Sequence, residues 1–147
     1  MSLTDKDIRL IRESFGRVAP ISGLAGELFY GRLFTIAPEL QPLFKGDTKE
    51  QGTKLMQALA FMVKGLSNPG AVLPFAADLA RRHVGYGVQA EHYQPVGIAL
   101  LSTLKTALDE AFTPEVERAW ERAYELISQA MIAAAYGLAP ASDLAAE

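Results

Sequence analysis

His83 carries the most specific chemistry in this 147-residue chain, which holds two histidines and no cysteine. It ends the run Leu79-Ala80-Arg81-Arg82-His83 and is followed by Val84-Gly85-Tyr86-Gly87-Val88. Leu79 and His83 are four residues apart and share one face of a helix, which the glycines then stop. A neutral imidazole on an apolar helix face, with arginines beside it, has the chemistry of one axial ligand to a cofactor metal. A single histidine at a helix end is also an ordinary structural residue, and these residues alone leave both readings open. Without cysteine, disulfides, thiolate nucleophiles and thiolate metal sites are excluded.

The elements that must position His83 read as helices throughout. Ile8, Ile11, Phe15 and Val18 recur at three- and four-residue spacing, and Pro20 closes that helix. A second helix starts near Ser22, with Leu24, Leu28 and Gly31 on one face, and stops before Pro38. Pro38 and Pro42 punctuate a turn-rich segment that ends at Leu43-Phe44. Asp47 and Glu50 outline a capping box for a helix striped by Leu55, Leu59, Met62, Val63 and Leu66. Asn68-Pro69-Gly70 stops it, and the His83 helix spans about 71–84. A long helix then places Tyr93, Val96, Leu100, Leu104 and Leu108 on one side. Thr113-Pro114 reads as an N-cap with proline at the first helical position. The last helix carries Val116, Trp120, Ala123, Ile127, Ala130, Met131 and Ala134. No stretch alternates with period two, so the expectation is an all-α domain of six to eight helices over 1–138, with a short tail at 139–147.

Composition bounds the function classes. Half of the residues are hydrophobic and 21% are charged, as expected of a single globular domain. A net charge of −3 argues against non-specific nucleic-acid binding. The amino terminus has no basic and apolar leader pattern. The longest uncharged stretch, 126–142, is broken by Gly137 and Pro140, so no membrane span is expected. The expected compartment is the cytoplasm.

Four motifs in order then carry a resemblance: Leu40-Gln41-Pro42-Leu43-Phe44; His83 with Val84-Gly85-Tyr86-Gly87-Val88; Glu91-His92-Tyr93; and Phe112-Thr113-Pro114 with Trp120 and Tyr124. Over essentially its whole length the chain resembles the globin family. It is similar to single-domain bacterial globins, to the haemoglobin domain of flavohaemoglobins and to neuroglobin-like bacterial globins. The resemblance implies a globin fold around haem b, bound non-covalently, with His83 as the proximal iron ligand. It places Phe44 on the haem face and Tyr30 and Gln51 at the two distal polar positions, where both can donate to a bound dioxygen. Leu55 becomes the apolar distal wall. Leu79, Val88, Tyr93 and Val96 line the proximal side or the haem edge, and Arg82 and Lys54 are candidates for the propionates. Those two are equally readable as solvated surface cations. His92 receives no iron role.

The departures set the functional expectation. The distal position is Gln51 rather than histidine. The glutamate that in flavohaemoglobins bonds the tyrosine matching Tyr93 falls on Ala135 here, which leaves a backbone carbonyl, that of Leu79, as the expected partner of His83. The chain stops at Glu147, with no flavin-binding reductase expected. The expected function is reversible binding of dioxygen, with nitric oxide and carbon monoxide as further ligands. The alternative is nitric oxide dioxygenation served by an external reductase. No catalytic residue is assigned, and the oligomeric state is left open.

Overall fold

The computed structural model describes residues 3–43, 48–85 and 90–136. Six α-helices make up most of it: α1 (Asp5–Val18), α2 (Ser22–Ile36), α3 (Thr48–Lys64), α4 (Pro69–Gly85), α5 (Tyr93–Leu108) and α6 (Pro114–Tyr136). Short 3₁₀ turns at Ala19–Ile21, Pro38–Leu43, Ala90–His92 and Asp109–Ala111 link them, and the described residues include no strand. The expected all-α architecture is therefore observed. The Asp47 start of α3, the glycine stop after α4 and the boundary at 138 lie outside the described residues.

Local chemistry starts the helices. Thr4 caps α1: its Oγ1 accepts from Asp7 N at 3.0 Å while Thr4 N donates to Asp7 Oδ2 at 3.2 Å. Asp7 also accepts from Arg122 of α6 at 3.0 Å, so one buried carboxylate both caps α1 and ties it to α6. Burial alone would raise the pKa of Asp7, but the Thr4 bonds and the Arg122 guanidinium outweigh it and the net shift is downward. Thr113 caps α6 as its sequence predicts, accepting from Val116 N at 3.2 Å with Pro114 at the first helical position. Deeper in the α1–α6 contact, Trp120 Nε1 donates to Ser14 Oγ at 2.9 Å, and Ser14 donates to Leu10 O at 2.7 Å. Neither polar atom is left unsatisfied in the core.

The second helix turns the face shared by Leu24, Leu28 and Gly31 away from the core. Its inward face is Ala25, Gly26, Phe29, Tyr30 and Leu33, whereas Leu24 is 62% exposed. Residues Leu24, Leu28 and Gly31 therefore look outward. Two small residues decide this. A Cβ built on Gly26 would lie 2.8 Å from Gly52 Cα, and one built on Gly52 would lie 3.1 Å from Gly26 Cα. Backbones this close require glycine on both helices. The face carrying Gly26 and Ala25 reaches α3, and the Leu24 face does not.

Buried apolar residues form two separate clusters. The larger draws on α1, α2, α3, α5 and the first half of α6, including Ile11, Phe29, Tyr30, Leu33, Leu100, Leu104 and Trp120. The smaller holds Ala76 and Ala80 of α4, Tyr93, and Met131 of α6, with Leu79, Ile127 and Ala135 packed against it. Accordingly α3 packs mainly on α2, and α4 mainly on α6. At their junction the two helices do meet. The rings of Phe61 and Phe75 lie 4.5 Å apart, and a Cβ on Gly65 would lie 2.5 Å from Val72 Cγ2. Arg12 of α1 pins this connector by donating to Val63 O at 3.3 Å, Lys64 O at 2.8 Å and Ser67 Oγ at 3.0 Å.

Candidate functional site

His83 is held by the helix that carries it. Its Nδ1–H donates to Leu79 O, one turn earlier, at 2.8 Å. A carbonyl only accepts, so this contact fixes the proton on Nδ1 and makes Nε2 the nitrogen with a lone pair to offer a metal. The side chain is half-buried. Burial first, and the Arg82 charge after it, push the imidazole pKa below its ordinary value, while the bond to Leu79 works the other way. The net result favours the neutral ring, the form that ligates metals. The expected carbonyl partner is the one observed.

Tyr30 and Gln51 are brought together by the crossing of α2 and α3. Tyr30 is one turn beyond Gly26 and Gln51 directly precedes Gly52, so the close approach of the glycines sets the distance between them. The Tyr30 hydroxyl lies 3.5 Å from Gln51 O, at the long limit of hydrogen bonding. Phe29 and Phe34 flank the Tyr30 ring at 4.9 and 5.9 Å. Burial pushes the Tyr30 pKa up to about 12, so the phenol keeps its proton and remains a donor at neutral pH. Gln51 is half-buried.

The remaining candidates divide between the two clusters. Leu55 and Val96 pack on the larger one, with Tyr30. Leu79 and Tyr93 belong to the smaller one, with the helix of His83. Val96 is thus separated from Leu79 and Tyr93, its expected companions, because α5 crosses from one cluster to the other. Lys54 and Arg82 sit on the surface beside acids of their own helices: Lys54 Nζ is 3.7 Å from Glu50, and Arg82 is 3.2 Å from Asp78. His92 is half-buried at the turn into α5, and Phe44 and Val88 lie outside the described residues.

Tyr124 gains a role that spacing did not give it. Tyr124 donates its hydroxyl to Tyr93 O at 2.6 Å, tying α6 to the first turn of α5. It lies against Gly97, where an added Cβ would meet Tyr124 Cε2 at 2.6 Å. A glycine inside an otherwise regular helix was the available signal. Ala135 packs in the same small cluster as Tyr93.

The all-α fold, with one histidine near the end of α4 and a tyrosine and a glutamine at the crossing of α2 and α3, fits a globin. The Globin family model matches residues 27–131, and the chain belongs to that family. Among curated proteins it is similar to the flavohemoprotein of Vibrio cholerae serotype O1, 33% identical over 133 residues, covering 88% of this chain and 34% of the relative. A flavohemoprotein of Bacillus subtilis strain 168 is 32% identical over 137 residues, covering 88% of this chain and 33% of that protein. One from Chromobacterium violaceum is 34% identical over 114 residues, or 75% of this chain and 28% of the relative. The chain thus spans about a third of the length of these relatives. No helix among the described residues is long and apolar enough to cross a membrane.

Proposed function

We propose that this globin binds haem b through His83 and takes up dioxygen reversibly, with Tyr30 and Gln51 as the distal donors. Haem supplies an iron centre that accepts a diatomic gas; nitric oxide and carbon monoxide are the other ligands of this class. The observation that carries the reading is the 2.8 Å bond from His83 Nδ1–H to Leu79 O. It orients the ring and selects the tautomer that a neutral metal-ligating imidazole requires. The division of the apolar core supports a planar occupant: Tyr30 and Leu55 belong to one cluster, while Leu79, Tyr93 and the helix of His83 belong to the other. Tyr30, kept protonated by burial, contributes an O–H donor, and the Gln51 amide contributes an N–H donor.

Nitric oxide dioxygenation with a separate reductase is the second reading, favoured by the similarity to flavohemoproteins. Against it stands Ala135, beside Tyr93 where the flavohaemoglobin pattern has glutamate. The proximal imidazole then has a neutral carbonyl partner, which lends the metal less anionic character than a carboxylate-backed one. Absorption spectra of the purified reduced protein, before and after oxygen and carbon monoxide, test the first reading. Sustained nitric oxide consumption with a supplied flavin reductase would establish the second. A colourless protein that takes up no added haem would overturn both.

A further inference from the structure

Among the described residues, little covers the side of α2 turned away from Tyr30. Leu24 is 62% exposed, and Ile21 and Ile36 are 40% and 43% exposed at the two ends of the helix. Between them Gly31 exposes bare backbone: a Cβ built there meets nothing within 4 Å. A groove of about 430 Å³ runs over Gly31, bounded by Glu27, Leu28, Arg32, Thr35 and, from α5, Ser102.

The charges in this groove are unusual. Glu27 makes no ion pair among the described residues. Among the described residues Arg32 meets only neutral acceptors: it donates to Ser102 O at 2.8 Å, to Ser102 Oγ, and to Thr106 Oγ1 at 2.7 Å. Five residues apart, the two side chains leave the helix about 140° apart, on opposite flanks of Gly31, which keeps them from neutralising one another. The patch therefore presents one uncompensated carboxylate and one uncompensated guanidinium around an apolar strip. A partner of a single charge sign would satisfy one and repel the other. An identical patch related by a two-fold axis satisfies both, twice over.

We propose that α2 pairs with α2 of a second copy of this chain, crossing near Gly31, with Leu24 and Leu28 in the seam and Glu27 of each copy against Arg32 of the other. Glycine at the crossing lets the backbones approach as Gly26 and Gly52 do on the inner face.

Sedimentation velocity of the purified protein across a concentration series tests this. The expected result is a species of twice the 15.9 kDa chain mass. Leu24→Asp, at an exposed position that does not threaten the fold, is expected to weaken association roughly a hundredfold, since two leucines leave each interface. Glu27→Arg gives the patch one sign and is expected to sediment as monomer, as is Arg32→Glu. Mixing those two variants is expected to restore the dimer. Wild-type protein that stays monomeric, assembles beyond a dimer, or dimerises equally well as Leu24→Asp and Glu27→Arg would overturn the proposal. Circular dichroism of each variant confirms that the helices are intact.

Discussion

Gly26 and Gly52 meet backbone to backbone, so closely that a methyl group on Gly26 would lie 2.8 Å from Gly52 Cα. One helical turn further along α2 stands Tyr30, and immediately before Gly52 stands Gln51. The glycine pair is therefore the spacer that sets how closely the Tyr30 hydroxyl approaches the Gln51 backbone. Gly26→Ala must push α2 and α3 apart, at a cost of about 1–3 kcal/mol for overpacking a rigid contact. Urea unfolding is expected to show a lower midpoint. Ligand release is expected to quicken in the same variant, because Tyr30 retreats from Gln51. Gly31→Ala, on the open side of the same helix, is the control and is expected to leave release unchanged.

Tyr30→Phe removes one hydroxyl and keeps the ring against Phe29 and Phe34. A hydrogen bond to a charged acceptor contributes about 1.5–3 kcal/mol, so the oxygen dissociation rate is expected to rise by roughly ten- to a hundredfold. Gln51→Leu is expected to act in the same direction. Stopped-flow displacement of oxygen by carbon monoxide reads both. Unchanged rates in the two variants would show that neither group touches the ligand.

His83→Ala is expected to lose most bound haem, read as the Soret-to-protein absorbance ratio after gel filtration. A dependence on pH accompanies this. Because the folded-state pKa of His83 is depressed, the unfolded chain binds the proton more readily. The neutral ring incurs no penalty above the ordinary value of about 6.5. Stability and haem retention are lost as pH falls through that value towards the lower folded one. Thermal unfolding at stepped pH is expected to show a fall below about pH 6.5 that His83→Leu lacks.

Lys54→Ala is expected to leave the reduced, ligand-free spectrum as it is. Lys54 is exposed and near Glu50, so it has little reason to desolvate and close the sixth coordination position. Tyr30, with its pKa at about 12, does not offer a phenolate at neutral pH. Two sharp low-spin bands that vanish in Lys54→Ala would contradict this.

What the amino-acid sequence reveals by itself follows from where the controlling interactions are local. The His83–Leu79 bond, the Thr113 cap and the stripes of α3 and α5 each depend on residues within a turn or two. The inner face of α2 does not. Leu24 and Leu28 form one apolar row, and Phe29, Tyr30 and Leu33 another, so periodicity alone offers two answers. The choice falls to Gly26 meeting Gly52, a contact between residues far apart in the chain. The same limit applies to Lys54 and Arg82, whose charge suits a propionate as well as it suits Glu50 and Asp78 of their own helices. Ala135 was placed by counting from Trp120, and a regular α6 brings it into the cluster of Tyr93.

The connector pinned by Arg12 turns α3 and α4 into two arms of a lever with a common fulcrum. At 1.5 Å per residue, about 21 Å of helix separates Gly65 from Gln51 and about 22 Å separates Asn68 from His83. The arms are nearly equal, so each degree of rotation at the fulcrum displaces the far end of either arm by about 0.4 Å. That is a large fraction of the tolerance of a hydrogen bond. Residues remote from any ligand, Arg12 and Gly65 foremost, therefore work as the set-screw of the instrument: a slight turn there is magnified at the far end of both arms.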